Sequence, residues 1–256
     1  MTLTLNPVVK IPMIQPGDDL GEIINNSLKG MPLLLEDGDI LVLAQKIVSK
    51  AESRLVNLNQ VEPSARALDL ARSTEKDPRF VELVLRESKE VLRFRPGTII
   101  VEHKLGFVCA NAGIDHSNVR GPWGNAEDWV LLLPEDPDRS AETIRLRVQE
   151  LSGVRSIGVM IIDSHGRAWR NGTVGVTIGL SQVPGIVDMR GKPDLFGYQL
   201  RVTTIAAADE LAAAASLVMG QAAECVPVVH VRGFPYSLRE AGLRELIRSR
   251  ELDMFR

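Results

Sequence analysis

Asp115 and Asp163 are the residues of this chain best placed, by type and spacing, to do chemistry. Each follows an apolar, strand-like run and is trailed by short polar side chains. Asp115 lies in FVCANAGIDHSN, with Ser117 and Asn118 behind it, and Asp163 closes SIGVMIID with Ser164 directly after. An acid delivered by a strand to a turn, with Ser or Asn beside it, suits a hard divalent cation. Magnesium and manganese take oxygen ligands, hold one or two carboxylates, and fill the remaining positions with water and substrate phosphates. Asp-Ser and Asp-x-Ser-Asn are also ordinary turn and helix-cap sequences. Neither aspartate decides the matter alone, but the pair, together with a further polar cluster, points to a site.

That further cluster is dispersed along the chain. Lys46 and Lys50 follow a buried strand and suit phosphate. Gln221 and Glu224 are three apart near the end of an alanine-rich segment, which would put them on one helical face. His116 and His165 adjoin the two aspartates and can assist there, whereas His103 and His230 read as strand or surface residues. No G-x-x-x-x-G-K-[ST] loop occurs, Gly172, Gly175 and Gly179 lack the G-x-G-x-x-G spacing, and there is no G-x-S-x-G elbow. These residues imply a magnesium- or manganese-dependent enzyme acting on phosphates. They do not name its reaction.

Composition narrows the class. The 256 residues are 45% hydrophobic and 25% charged, enough for one large domain or two small ones. A net charge of −3 without a basic run argues against a nucleic-acid groove or a polybasic membrane anchor, and 4% aromatic residues weaken base stacking. Cys109 and Cys225 sit in apolar settings without CxxC spacing, so neither a disulfide framework nor a zinc site is expected. No apolar run reaches the roughly 20 residues that span a bilayer. The chain reads as cytoplasmic.

The elements that must position these residues alternate irregularly, which favours an α+β fold over a regular doubly wound sheet. Residues 8–14 read as a short strand, and Asp18 or Asp19 as the cap of a helix running through Leu28. Gly30–Gly38 is a loop. A buried strand starts at Asp39 and gives way to the polar stretch Lys46–Lys50. Residues 62–92 have helical spacing broken at Asp77-Pro78, and a hairpin turns through Glu102–Gly106. Residues 119–140, with Trp123 and Trp129, read as a loop, followed by a helix near Ala141–Leu151. The strand ending at Asp163, the small-residue block GTVGVTIGL, a loop over 181–199 and the helix AAADELAAAASLVMGQAAE come next. VPVVHVRG is a last buried strand, and Ser237-x-x-Glu240 a capping box opening a last helix.

Six segments occur in order over residues 8–233: IPMIQPGDDL, DILVLAQKIVSKAE, ANAGIDHSNV, DSHGRAWRNGTVGVTIG, KPDLFGYQLRVT and ADELAAAASLVMGQAAE. Together they resemble the coenzyme F-420-0:L-glutamate ligase (coenzyme F-420:gamma-glutamyl ligase) family. The resemblance implies GTP-dependent addition of L-glutamate, and of further γ-linked glutamates, to the deazaflavin precursor coenzyme F-420-0. It implies a mixed α+β, intertwined homodimer formed by a single domain over 1–256, without the nitroreductase-like extension fused to some actinobacterial members. It implies divalent metal, Mg2+ or Mn2+ at two positions, with potassium as a monovalent cation. Carried over by position, Ile11, Pro12, Met13 and Ile14 border the nucleotide. Gln45, Lys46, Lys50 and Asn118 contact GTP, as does the stretch Met219, Gly220, Gln221, Ala222, Ala223, Glu224, Cys225 and Val226. Asp115 and Asp163 hold one metal, and Ser164 with Gln221 a second. Asp115, Asp163 and Lys50 are the expected catalytic residues. Two positions depart from the family pattern: His116 stands where Glu or Gln is common, and Ser53 where Gly commonly follows SKAE.

The implied chemistry suits the groups present. A carboxylate becomes an acylating agent once the γ-phosphoryl group is transferred to it, and the glutamate amine then attacks. Such transfer needs positioning and charge neutralisation more than a protein nucleophile. Two other readings are a metal-dependent phosphohydrolase and a non-catalytic nucleotide-binding protein.

Overall fold

The chain folds around a sheet whose strands come from both ends of the sequence. The computed structural model describes residues 2–254. In chain order its elements are β1 (Thr4–Pro7), α1 (Leu20–Lys29), β2 (Ile40–Ala44), α2 (Gln45–Ala51), β3 (Leu55–Asn57), α3 (Ala65–Thr74), α4 (Pro78–Arg86), β4 (Ser88–Arg95), β5 (Thr98–His103) and β6 (Val108–Ala110). They continue with β7 (Trp129–Leu131), α5 (Pro137–Ser152), β8 (Gly158–Arg167), β9 (Arg170–Ser181), β10 (Val187–Asp188), β11 (Thr204–Ile205), α6 (Ala207–Met219) and β12 (Val228–Arg232). The fold is mixed α+β, as the irregular order of elements predicts.

The main sheet is five-stranded in the order β1-β12-β2-β8-β9, and only β2 and β8 run parallel. Its central strands are apolar on both faces, so both faces are covered. Leu41, Leu43, Val159 and Ile161 pack with Ile24 of α1 and Val148 of α5. Ile40, Val42, Met160 and Ile162 pack on the other face with Leu211, Ala212 and Ala215 of α6. A separate core joins α3, α4 and the β4-β5-β6 sheet to Val130 and Leu132. Arg54 connects this core to the main body through Glu87 and Glu135, each at 2.8 Å, and donates from Nε to the Leu133 carbonyl.

The glycines of GTVGVTIGL have a packing reason. A Cβ on Gly175 would lie 2.6 Å from the Ala212 carbonyl oxygen of α6, and one on Gly179 would lie 2.5 Å from the Pro137 carbonyl carbon of α5. These are backbone atoms and have little freedom to yield. The two glycines therefore set how closely helices approach β9 from opposite faces.

Five sequence expectations are corrected. The first strand is Thr4–Pro7, not 8–14, because Lys10 takes φ 64° and Pro12 follows, which breaks the extended run. The helical spacing of 62–92 ends at Arg86; Ser88–Arg95 is drawn into a strand against β5 despite two register shifts. Residues 119–140 contain β7 and the start of α5, where Pro137 occupies the first helical turn that tolerates it. The 181–199 segment is part of a two-stranded arm: Val187 pairs with Ile205, and Pro193 bridges Gln199. Ser237 and Glu240 open no helix, since among the described residues only short 3-10 turns at Leu243–Glu245 and Arg250–Leu252 follow. There Asp138 captures the Leu243 N–H and Arg239 donates to the Ile186 carbonyl, and these tertiary partners replace a local cap.

Overpacking at a backbone contact of this kind costs about 1–3 kcal/mol. Gly179→Ala is expected to lower unfolding stability by that amount in urea denaturation, while Gly172→Ala, with nothing near its Cβ position but φ 79°, should lose less.

Candidate active site

The site forms where β2 and β8 part company. Their parallel register ends at Ala44 opposite Ile162. The chain of β2 then turns into α2, while β8 continues to Arg167, paired only with β9. Asp163 and Ser164 are thus not at a strand end, as the sequence suggested. They lie in the middle of a ten-residue strand, on the stretch that has lost one neighbour. A one-residue register shift against β9 falls between Ile161 and Ile162, immediately before Asp163. Bulges of this kind commonly re-aim side chains near functional sites.

A cavity of about 770 Å³ opens along this free edge. Every residue that the family resemblance assigns to nucleotide or metal lines it. Ile11, Pro12, Met13 and Ile14 form one wall, Gln45, Lys46 and Lys50 of α2 another, and Asp115 and Asn118 come from the segment before β7. Asp163 and Ser164 enter from β8, and Met219 through Val226 from the end of α6 onward. Sequence spacing alone missed Asn111, Arg120, Thr173 and Ser216, which also line it. Asn111 and Ser216 both lie inside segments that carry the family resemblance, but neither has a spacing signal of its own.

Each group is held by named contacts. Asp115 is pinned at its backbone by mutual hydrogen bonds with Leu131, at 3.0 and 2.9 Å. Its Oδ2 accepts from Gln45 Nε2 at 2.7 Å and lies 3.4 Å from Lys46 Nζ. Ser49, one turn after Gln45 on α2, donates to Gln45 Oε1 and so fixes the amide that serves Asp115. Lys46 donates to Ser117 Oγ and Lys50 to the Asn118 carbonyl, both at 2.9 Å. Lys46 and Lys50 share a helical face, so the two cations reach the same segment. Asn118, at φ 57°, donates from Nδ2 to the Ala222 carbonyl and ties this segment to the α6 end.

Helix α6 stops at Met219 because Gly220 takes φ 73°. Gln221 and Glu224 therefore do not share a helical face, contrary to the sequence expectation. Gln221 instead reaches across the cavity: its Oε1 accepts from Ser164 Oγ at 2.8 Å and its Nε2 donates to Ser216 Oγ at 2.9 Å. Glu224 turns back on its own loop and accepts from the Ala222 N–H at 2.8 Å. His165 faces Asp163, with Nε2 3.0 Å from Oδ2. His116 does not line the cavity; its ring stacks on Phe80 with centroids 5.4 Å apart. His103 and His230 are both buried strand residues. Ser53 takes φ 59°, the left-handed conformation that glycine adopts most easily.

The electrostatics favour a cation between the carboxylates and an anion near Lys50. Burial, then the nearby Asp163 carboxylate, push Asp115 up to about 6. Burial, then Lys46, lower the Lys50 pKa, so its charged form gains from an anion at hand. The donor set is oxygen: Asp115, Asp163, Ser164 and the Gln221 amide. That chemistry fits Mg2+ or Mn2+. Among the described residues no group of three or more His, Cys, Asp and Glu side chains is arranged to hold a metal, so a cation here would complete its shell with water and substrate oxygens.

The raised Asp115 pKa has a direction that can be measured. A carboxylate raised in the folded state contributes stability below its unfolded pKa and loses it as pH rises through about 6. Wild type should therefore lose about 1–3 kcal/mol relative to Asp115→Asn between pH 4 and pH 8 in metal-free buffer. Added Mn2+ should return most of that difference at pH 8 and little of it at pH 4, as read by denaturant unfolding.

No described helix is long and apolar enough to cross a membrane. The family model for F420-0:Gamma-glutamyl ligase matches residues 8–233. The chain is 48% identical to the coenzyme F420:L-glutamate ligase of Methanopyrus kandleri, over all of this chain and 98% of that protein. It is 47% identical to the enzyme of that name from Methanothermobacter thermautotrophicus, with both chains fully covered. The protein of the same name from Archaeoglobus fulgidus is 43% identical, over all of this chain and 97% of its own length. With similarity at this level from end to end, the chain belongs to the F420-0:gamma-glutamyl ligase family.

Proposed function

We propose that this protein is a GTP-dependent ligase that joins L-glutamate to the deazaflavin precursor coenzyme F-420-0 and then adds further glutamates through γ-linked amides. The observation that carries the proposal is the single cavity that gathers two facing carboxylates, two lysines and the polar loop after α6. The names of the relatives support glutamate and the F420 precursor as substrates.

In the proposed reaction the precursor carboxylate attacks the γ-phosphorus, the bond to the GDP oxygen breaks, and an acyl phosphate forms. The glutamate amine then attacks the acyl carbon, inorganic phosphate leaves, and the amine gives up a proton. Lys50, half-buried beside Lys46, offsets phosphate charge as a point cation. Ile11–Ile14 and the segment Met219–Val226 flank the nucleotide from two sides, and Asn118 links the second of these to the Asp115 segment. Asp115 and Asp163 would hold one divalent cation, Mg2+ or Mn2+, and Ser164 with Gln221 a second. When bound, such cations neutralise phosphate charge and orient the acceptor carboxylate. Potassium is proposed as a further cation from the family resemblance alone.

The homodimer is also proposed, and the arm between β10 and β11 supports it. Backbone bonds from Met189 to Thr203 and from Gly191 to Leu200 hold the arm together, and Asp194 caps its tip through the Phe196 and Tyr198 N–H groups. That ordered tip leaves Leu195 97% and Phe196 95% exposed. Apolar side chains held this far into solvent suit burial against a second copy. Light scattering should give twice the 28.1 kDa chain mass at micromolar concentration, and a monomer would overturn the dimer.

Incubation of the precursor with enzyme, GTP, Mn2+ and L-glutamate should yield products heavier by whole glutamyl units, with GDP and phosphate released in step. Asp163→Asn should stay folded and lose most of this turnover. GTP cleavage that runs equally well without glutamate would overturn the ligase and favour a phosphohydrolase. Binding of GTP without any turnover would favour the non-catalytic reading.

A further inference from the structure

One part-buried contact at the site has no part in the assignments above. His165 follows Asp163 by two residues on β8, so both side chains project from the same face of the strand. His165 Nε2 lies 3.0 Å from Asp163 Oδ2, and the two side chains are only 11% and 13% exposed. On this stretch β8 has already lost β2 as a neighbour, so no paired strand flanks it on that side among the described residues. Asp163 needs another restraint to keep one rotamer.

The imidazole is itself braced. Its ring packs at 51° to Phe107 with centroids 5.3 Å apart, and Phe107 in turn stacks on His103 at 5.2 Å. Phe107 is fixed by the hairpin that carries it. The His103 N–H donates to the Phe107 carbonyl at 2.9 Å, and the His103 ring accepts from the Leu105 N–H at 3.0 Å. The β5–β6 hairpin thus sets the His165 ring, and the ring sets the carboxylate.

We propose that His165 is a positioning residue that orients the Asp163 carboxylate and thereby sets the divalent-cation affinity of the site. The proposal rests on the reading of Asp163 as a metal ligand. We assign the imidazole proton to Nε2, the tautomer in which the ring donates to the facing carboxylate. A protonated Nε2 has no lone pair for a cation, so His165 is not itself a ligand through that atom. Its hydrogen bond engages Oδ2, so Oδ1 of Asp163 would remain available to a cation. Partners of this kind fix the orientation of a ligand and typically change metal affinity 10–100-fold when removed.

The test compares His165→Phe, which keeps an aromatic ring against Phe107 and loses the donor, with His165→Gln, which keeps an N–H donor at similar reach. Mn2+ binding is read by electron paramagnetic resonance of the free ion in the presence of GTP. Melting temperature and the Mn2+ concentration for half-maximal turnover are measured alongside. His165→Phe should melt near wild type yet bind Mn2+ about 10–100-fold more weakly. His165→Gln should recover most of that loss, and turnover at saturating Mn2+ should fall much less than the half-saturation point moves. If His165→Phe does not fold, His165→Met takes its place. Wild-type Mn2+ affinity in the folded Phe or Met variant overturns the proposal, as does a Gln variant that binds no better than they do. Asp163→Asn separates the two levels of the argument. If it binds Mn2+ normally, the metal reading itself fails; if it loses Mn2+ while His165→Phe does not, only the role of His165 fails.

Discussion

Two carboxylates facing one cavity are the constraint around which the site is arranged. Asp115 and Asp163 repel, and burial deepens the cost, so that Asp115 is pushed up to about 6. Such a pair persists only where other groups hold both members in place. Gln45 and Lys46 hold Asp115, with Ser49 behind Gln45, and the Leu131 backbone pins the residue from beneath. Asp163 has His165. The fold supplies rigid partners to an arrangement that is unfavourable without a cation, which is the reason to regard it as a binding site and not as a pair of turn residues.

The sheet topology makes room for that pair. One parallel contact, β2 with β8, ends in register at Ala44 and Ile162, and the two chains then separate. The gap opens past the carboxyl end of β2, beside a β8 that continues to Arg167. Because β8 continues with one neighbour fewer, side chains from both of its faces reach the same space. Asp163 and His165 come from one face and Ser164 from the other, where Gln221 meets it after α6. Gly175 and Gly179 on β9 let α6 and α5 pack closely against the two faces of the sheet.

Local signals in the sequence located most elements. The Asp19 cap, the break at Asp77-Pro78, the hairpin through Glu102–Gly106 and the buried runs of β2 and β12 all depend on neighbours in sequence, and each is present. The errors fall where distant partners compete with local preference. Residues 62–92 have helical spacing, yet Ser88–Arg95 pairs with β5. The Ser237-x-x-Glu240 signal is sound locally, but Asp138 captures the Leu243 N–H and Arg239 donates to the Ile186 carbonyl. The alanine-rich segment reads as helix through Glu224, whereas the structure ends it at Gly220 and frees Gln221 to cross the cavity.

Residue types by themselves determined the family, through six ordered motifs, and suggested the proposed chemistry of oxygen ligands for a hard cation and lysines for phosphate. They suggested that chemistry because ligand preference and charge belong to the side chain and not to its surroundings. The tertiary structure alone decided which of these residues meet. It placed Asp163 within a strand and not at its end, turned His116 away to Phe80, and brought His165 onto Asp163. Those outcomes depend on where β2 leaves β8 and on which backbones glycine allows to touch. Both are long-range contacts that no window of sequence contains.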